Sequence, residues 1–113
     1  MSIEEYFGTG PDFERPIFEV VLAHLHQLDP DVWYEPVSVG IFFKRSSRFL
    51  TLRTMSRWIA VGFSLPHRLS SDRLSRRVVE HGRRFHHVVN VRDRSEIDDE
   101  LLDWIAEAWE ADG

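Results

Sequence analysis

Apolar positions along this chain change rhythm twice, and each change marks a new kind of element. From Phe13 to Leu28 the residues Ile17, Val20, Val21, His24 and Leu28 recur at spacings of three and four, which predicts an amphipathic helix with Pro16 in its first turn. Asp29-Pro30 ends it, because proline lacks the amide that would continue the helical ladder and restricts the residue before it. The rhythm then shortens to two. Val37, Val39, Ile41 and Phe43 alternate with Ser38, Gly40, Phe42 and Lys44, the signature of a strand with two unlike faces. After the polar turn Arg45-Ser46-Ser47-Arg48, strands are predicted over Phe49 to Arg53 and Trp58 to Leu65, with Pro66 closing the meander. Arg84 to Arg92 reads as a further strand through Phe85, Val88, Val89 and Val91. Between them, Arg68 to Glu80 reads as ending in a hairpin, with Arg77 to Glu80 pairing with the next strand across His81-Gly82, and a short helix capped by Ser70 or Ser71 is the alternative.

The helical period returns at the end of the chain. Ser95 followed by Asp98 resembles a capping box, acidic residues suit the first turn, and Ile97, Leu101, Trp104, Ile105 and Ala108 form an apolar stripe. The predicted architecture is therefore α+β: one domain over residues 1–113, an antiparallel sheet of four to six strands, and an N-terminal and a C-terminal helix packed on one face as a second layer.

Composition narrows the function classes. The longest apolar runs, such as Trp58 to Phe63, fall far short of the ~20 residues a membrane helix needs. The acidic start Met1-Ser2-Ile3-Glu4-Glu5 is unlike a signal peptide, and the absence of cysteine excludes disulfides, thiolate metal sites and thiol nucleophiles. A cytoplasmic protein without membrane association is expected. The net charge of −5 hides a segregation: Met1 to Phe42 and Ser95 to Gly113 each hold eight acids, whereas Phe43 to Arg94 holds 13 of the 14 basic residues and only three acids. Only Lys44 among the 14 is a lysine, and arginine's planar fork suits paired recognition of carboxylate or phosphate.

These two patterns meet on the sheet. With Val39, Ile41, Phe43, Ile59, Val61 and Phe63 buried beneath the helices, the opposite face carries Ser38, Gly40, Phe42 and Lys44 beside Trp58, Ala60, Gly62 and Ser64. Thr51 and Arg53, or their neighbours, and one of His86 and His87 complete it, because adjacent strand residues point to opposite sides. Such a floor of small side chains with a basic rim is either a surface for an anionic ligand or the merely solvated side of an antiparallel sheet. Lys44, Arg53, Trp58, His86 and His87 are its candidate ligand-binding residues.

Other chemistry is poorly served. Neither His86-His87 on a strand nor His24 and His26 on a helix can converge on one metal, and no serine lies in a G-x-S-x-G elbow. No metal, cofactor or catalytic residue is assigned. A small hydrolase or transferase with a histidine general base is the alternative from the enzyme class. Nucleic acid is a further candidate partner, since Arg73, Arg76, Arg77, Arg83 and Arg84 crowd together, but pairing of these arginines with the acidic helices ranks ahead of it. Trp109 is read as the most exposed of the four tryptophans, and a patch shared with Trp33 or Tyr34 would make the protein a homodimer or a partner-binding module rather than a monomer.

The run Val39-Gly40-Ile41-Phe42-Phe43-Lys44-Arg45 with Phe49, the Trp58-Ile59-Ala60-Val61 segment leading to Leu65-Pro66, Phe85-His86-His87-Val88, and Ile97-Asp98-Asp99-Glu100-Leu101 through Trp104 to Trp109 resemble the bacterial domain-of-unknown-function family 5655. Tyr6-Phe7-Gly8 fits as well. The resemblance spans nearly the whole chain and supports the fold, and it implies no activity, substrate or cofactor. Where that family often has tyrosine, this chain has Trp109.

Overall fold

A computed structural model describes residues 1–8 and 10–113. Ser2 opens the chain with a reciprocal capping box: its hydroxyl accepts from the Glu5 amide while the Glu5 carboxylate accepts from the Ser2 amide, which fixes the short helix α1, Ile3–Phe7. Helix α2, Glu14–Leu28, follows, and its buried stripe is Ile17, Phe18, Val21 and Leu25. That stripe is rotated from the predicted one, since Leu28 is exposed while Phe18 and Leu25 carry the packing.

Six strands form one antiparallel sheet in the order β1-β2-β3-β4-β6-β5. They are β1 Trp33–Val37, β2 Gly40–Lys44, β3 Arg48–Thr54, β4 Ile59–Leu65, β5 Val79–His81 and β6 Arg84–Val91. Strand β1 is additional to the predicted set. Its pairing of Val37 with Gly40 leaves Ser38-Val39 as a two-residue turn, so Val39 is 46% exposed and not part of the core. The period-two pattern had simply run on through a turn. At the β2–β3 pairing a bulge slips the register between Phe43 and Lys44, so Phe49 and Leu50 are both buried and Arg48 lies over the Phe42 ring. The Arg68 to Glu80 segment does end in a hairpin: β5 pairs with β6 across Gly82-Arg83, with Gly82 at φ 65 as a tight turn of this hand requires.

Helix α3, Asp99–Ala111, is capped by Asp98, which accepts from the Leu101 amide. Ser95 instead lies in a preceding 3-10 turn, Arg94–Glu96, so the cap sits three residues later than the pattern suggested. Leu101, Ile105 and Ala108 from α3 and the α2 stripe share one core with Ile41, Phe43, Leu50, Leu52, Val61, Phe63, Val89 and Val91. Both long helices therefore cover the same face of the sheet. No helix among the described residues is long and apolar enough to cross a membrane.

Candidate functional site

On the uncovered face the strand register brings small residues to the middle of the sheet. Arg53 pairs with Ala60, Thr51 with Gly62, and Gly62 in turn with Val88, while His86 pairs with Ser64. A Cβ on Gly62 would lie 2.7 Å from Thr51 Oγ1 and 3.0 Å from His86 Cε1, so the glycine leaves the space that the Thr51 hydroxyl and the His86 imidazole occupy. Thr51, Arg53, Arg76 and His86 then wall a recess of about 50 Å³ over Ala60, Gly62 and Val88. That volume suits a few waters or one small oxyanion.

The electrostatics are one-sided. Burial, and then the Arg76 guanidinium nearby, hold the His86 pKa below its ordinary value, so the ring is neutral at neutral pH. Among the described residues neither Arg53 nor Arg76 has a carboxylate within ion-pair distance. Other arginines of the basic block do. Arg73 pairs with Asp98 at 2.6 Å and Glu100 at 3.1 Å, and Arg84 lies 3.0 Å from Asp112. Arg45 stacks 3.8 Å from the Trp109 ring centroid and donates to the Trp109 carbonyl. Pairing with α3 thus occupies Arg73 and Arg84, while the recess arginines, like the remaining arginines of the block among the described residues, have no carboxylate partner.

Of the residues proposed from sequence, Arg53 and His86 meet in the recess. Lys44 stands at the far end of β2, its ammonium 5.9 Å from the Trp33 ring centroid, and Trp58 is half-buried just before β4, outside the recess lining. His87 belongs to the covered face: it is 1% exposed, stacks on Phe63 at 5.3 Å, and its Nε2 accepts from the Leu69 amide at 3.0 Å. Burial lowers its pKa as well. Arg76 is the residue that periodicity missed, because it comes from the irregular segment before β5, where only the local density of arginine marked it. Trp33, at 49%, is the exposed tryptophan, whereas Trp109 is half-buried against the core beneath Arg45.

No three His, Cys, Asp or Glu side chains gather as a metal centre among the described residues. No curated protein and no solved structure matches the chain. The model of the family described as "Domain of unknown function (DUF5655)" matches residues 3–112, end to end with the fold just described, and the chain belongs to that family.

Proposed function

We propose that the protein is a non-enzymatic binding module that recognises an anionic group, a phosphate or carboxylate, in the recess over Gly62. The observation that carries this reading is the pairing of two carboxylate-free arginines, Arg53 and Arg76, with a neutral imidazole over a floor of small residues. Charge-assisted bonds from guanidinium to oxyanion are among the strongest a surface can offer, and the half-enclosed position of the recess limits screening. An anion here would also stabilise imidazolium, so His86 would gain a proton on binding. Lys44, in this reading, adds long-range attraction from the same face, and a cytoplasmic setting suits the cysteine-free chain.

A histidine general-base enzyme is less well supported. The His86 side chain has no hydrogen-bond partner among the described residues, so nothing orients its tautomer as a catalytic base requires. Titration with phenyl phosphate, followed by the His86 and Gly62 resonances, tests the binding reading. Saturable shifts, a raised His86 pKa, and roughly tenfold weaker binding for Arg53→Ala and for Arg76→Ala are expected. Diffuse shifts over the whole basic block, tightest for a short oligonucleotide, would instead make the protein a nucleic-acid accessory domain.

A further inference from the structure

Glu14 is an acidic residue at the start of an apolar stripe. It is the first residue of α2, in phase with Ile17, Phe18, Val21 and Leu25, and it is only 3% exposed. Its Oε1 is buried with no hydrogen-bond partner among the described residues. An isolated ionised carboxylate removed from water is strongly unfavourable unless something pairs with it. The groups nearest to it are hydroxyls, not cations: Tyr6 and Thr54, which hydrogen-bond to each other, both lie beside it. Burial accordingly raises the Glu14 pKa, and that of Tyr6.

The carboxyl group stands at a boundary. On one side is a small apolar cavity lined by Phe7, Ile17, Phe18, Ile41, Leu52 and Ile59. On the other is an open cleft of about 410 Å³, lined by Met1, Glu5, Gly10, Pro11 and Ser38 together with Tyr6, Thr54 and Glu14 itself. A cleft of that size matches the pockets that hold small organic molecules. Gly10 abuts the carboxyl, and an added Cβ there would lie 3.2 Å from Glu14 Oε2. Any larger residue there would crowd the carboxylate. The lining side chains comprise two carboxyls, three hydroxyls and the apolar surfaces of Met1 and Pro11, without lysine, arginine or histidine.

We propose that this cleft binds a small organic cation, a primary ammonium on a short aliphatic stem. The ammonium, with three donors and no acceptor, would take the Glu14 carboxylate, whose Oε1 has no partner, with the Thr54 or Ser38 hydroxyl as a further acceptor. The stem would lie against Met1 and Pro11. This site is separate from the arginine-walled recess and opposite to it in charge preference, so each can fail without the other.

The test is a titration of the full chain with n-butylammonium, with n-butanol and butyrate as neutral and anionic controls, read from the backbone resonances of Tyr6, Gly10, Ser38 and Thr54. Saturable shifts for the ammonium alone are expected, with affinity reduced at least tenfold in Glu14→Gln and unchanged in Arg53→Ala. Butanol binding as tightly as butylammonium, or Glu14→Gln retaining full affinity, would overturn the proposal. Shifts that never saturate would do the same. Should Glu14→Gln not fold, Gly10→Val serves in its place: it fills the approach to the carboxylate, and binding that survives it is equally decisive against the site.

Discussion

Asp112 concentrates more structure in one side chain than any other residue of the chain. It caps the end of α3, and its carboxylate accepts from the amides of Ser46 at 2.7 Å and Ser47 at 2.8 Å and from the Ser47 hydroxyl. Arg84 completes the group, its Nη1 3.0 Å from the same carboxylate and its Nη2 donating to the Ala111 carbonyl. Burial alone would raise the Asp112 pKa, yet these donors hold it below the ordinary value. Removing it strands several donors at once, so Asp112→Ala should cost about 3 kcal/mol in denaturant unfolding, whereas a loss under about 1 kcal/mol would mean water replaces the carboxylate. Gly62 makes the opposite demand, for absence of a side chain. In Gly62→Ala the new methyl would meet Thr51 and His86, and the imidazole is the more movable of the two. The expected result is a loss of about 1 to 2 kcal/mol. Displacing the ring toward solvent should also raise the His86 pKa toward its ordinary value, visible in a proton-resonance titration.

At the scale of elements, a residue sequence announces its structure where one face is buried and one is wet. Helix α3 and strand β3 satisfy that condition and β2 and β6 do so in part, while β4 is buried on both sides and is marked instead by the alternation of large Ile59, Val61 and Phe63 with small Ala60 and Gly62, which carries both the fold and the floor of the recess. Strand β1 does not satisfy it. It is an edge strand with Pro36 inside it and side chains exposed or half-exposed throughout, so no clean period marks it, and its turn residues Ser38-Val39 look like more strand. Helix α1 is too short for any period, although the Ser2 and Glu5 capping box was there to be read. Arg53 and His86 were legible because they sit on regular strands, while Arg76 was not, since only tertiary packing brings an irregular segment across β6. Glu14 was not singled out by the sequence pattern: only the observed stripe of Ile17, Phe18, Val21 and Leu25 sets its charge in phase with apolar residues, a conflict between local pattern and burial of the kind expected at functional sites. Strand β5 depends on its turn more than on packing, for all three of its residues are exposed. Gly82→Ala, which puts a side chain at φ 65, should therefore cost about 1 kcal/mol and raise amide exchange at Val79 and His81 before it disturbs the rest of the sheet. Exchange unchanged along β5 would show that the strand is held otherwise.

Over the whole molecule the acidic ends and basic middle are joined through α3, where Arg73 and Arg84 find carboxylates, and this arrangement gives stability a two-sided dependence on pH. Asp112, and the exposed Asp93 and Asp98, have folded pKa values below the ordinary ones: Asp93 through Ser95, Asp98 through Arg73 and the Leu101 amide. The stability they contribute is present above the unfolded pKa, near 3.8, and is lost as pH falls through the lower folded values. His86 and His87 also favour folding at higher pH, because the unfolded chain binds more protons than the native one between their lowered folded pKa values and 6.5. Glu14 acts in the reverse sense. With its folded pKa above 4.5, the native state binds the extra proton, so its contribution declines as pH rises from 4.5 through the folded value. The groups that act on it directly, Tyr6 and Thr54, are hydroxyls. Glu14→Gln removes the titration while keeping the shape, and the variant should match the native protein near pH 4 and exceed it by a margin that widens as the carboxyl ionises. Urea unfolding of both proteins at a series of pH values reads this directly. A margin that stays constant from pH 4 to 8 would mean that Glu14 titrates normally, and that the cleft beside it holds an ordinary carboxylate already satisfied by solvent.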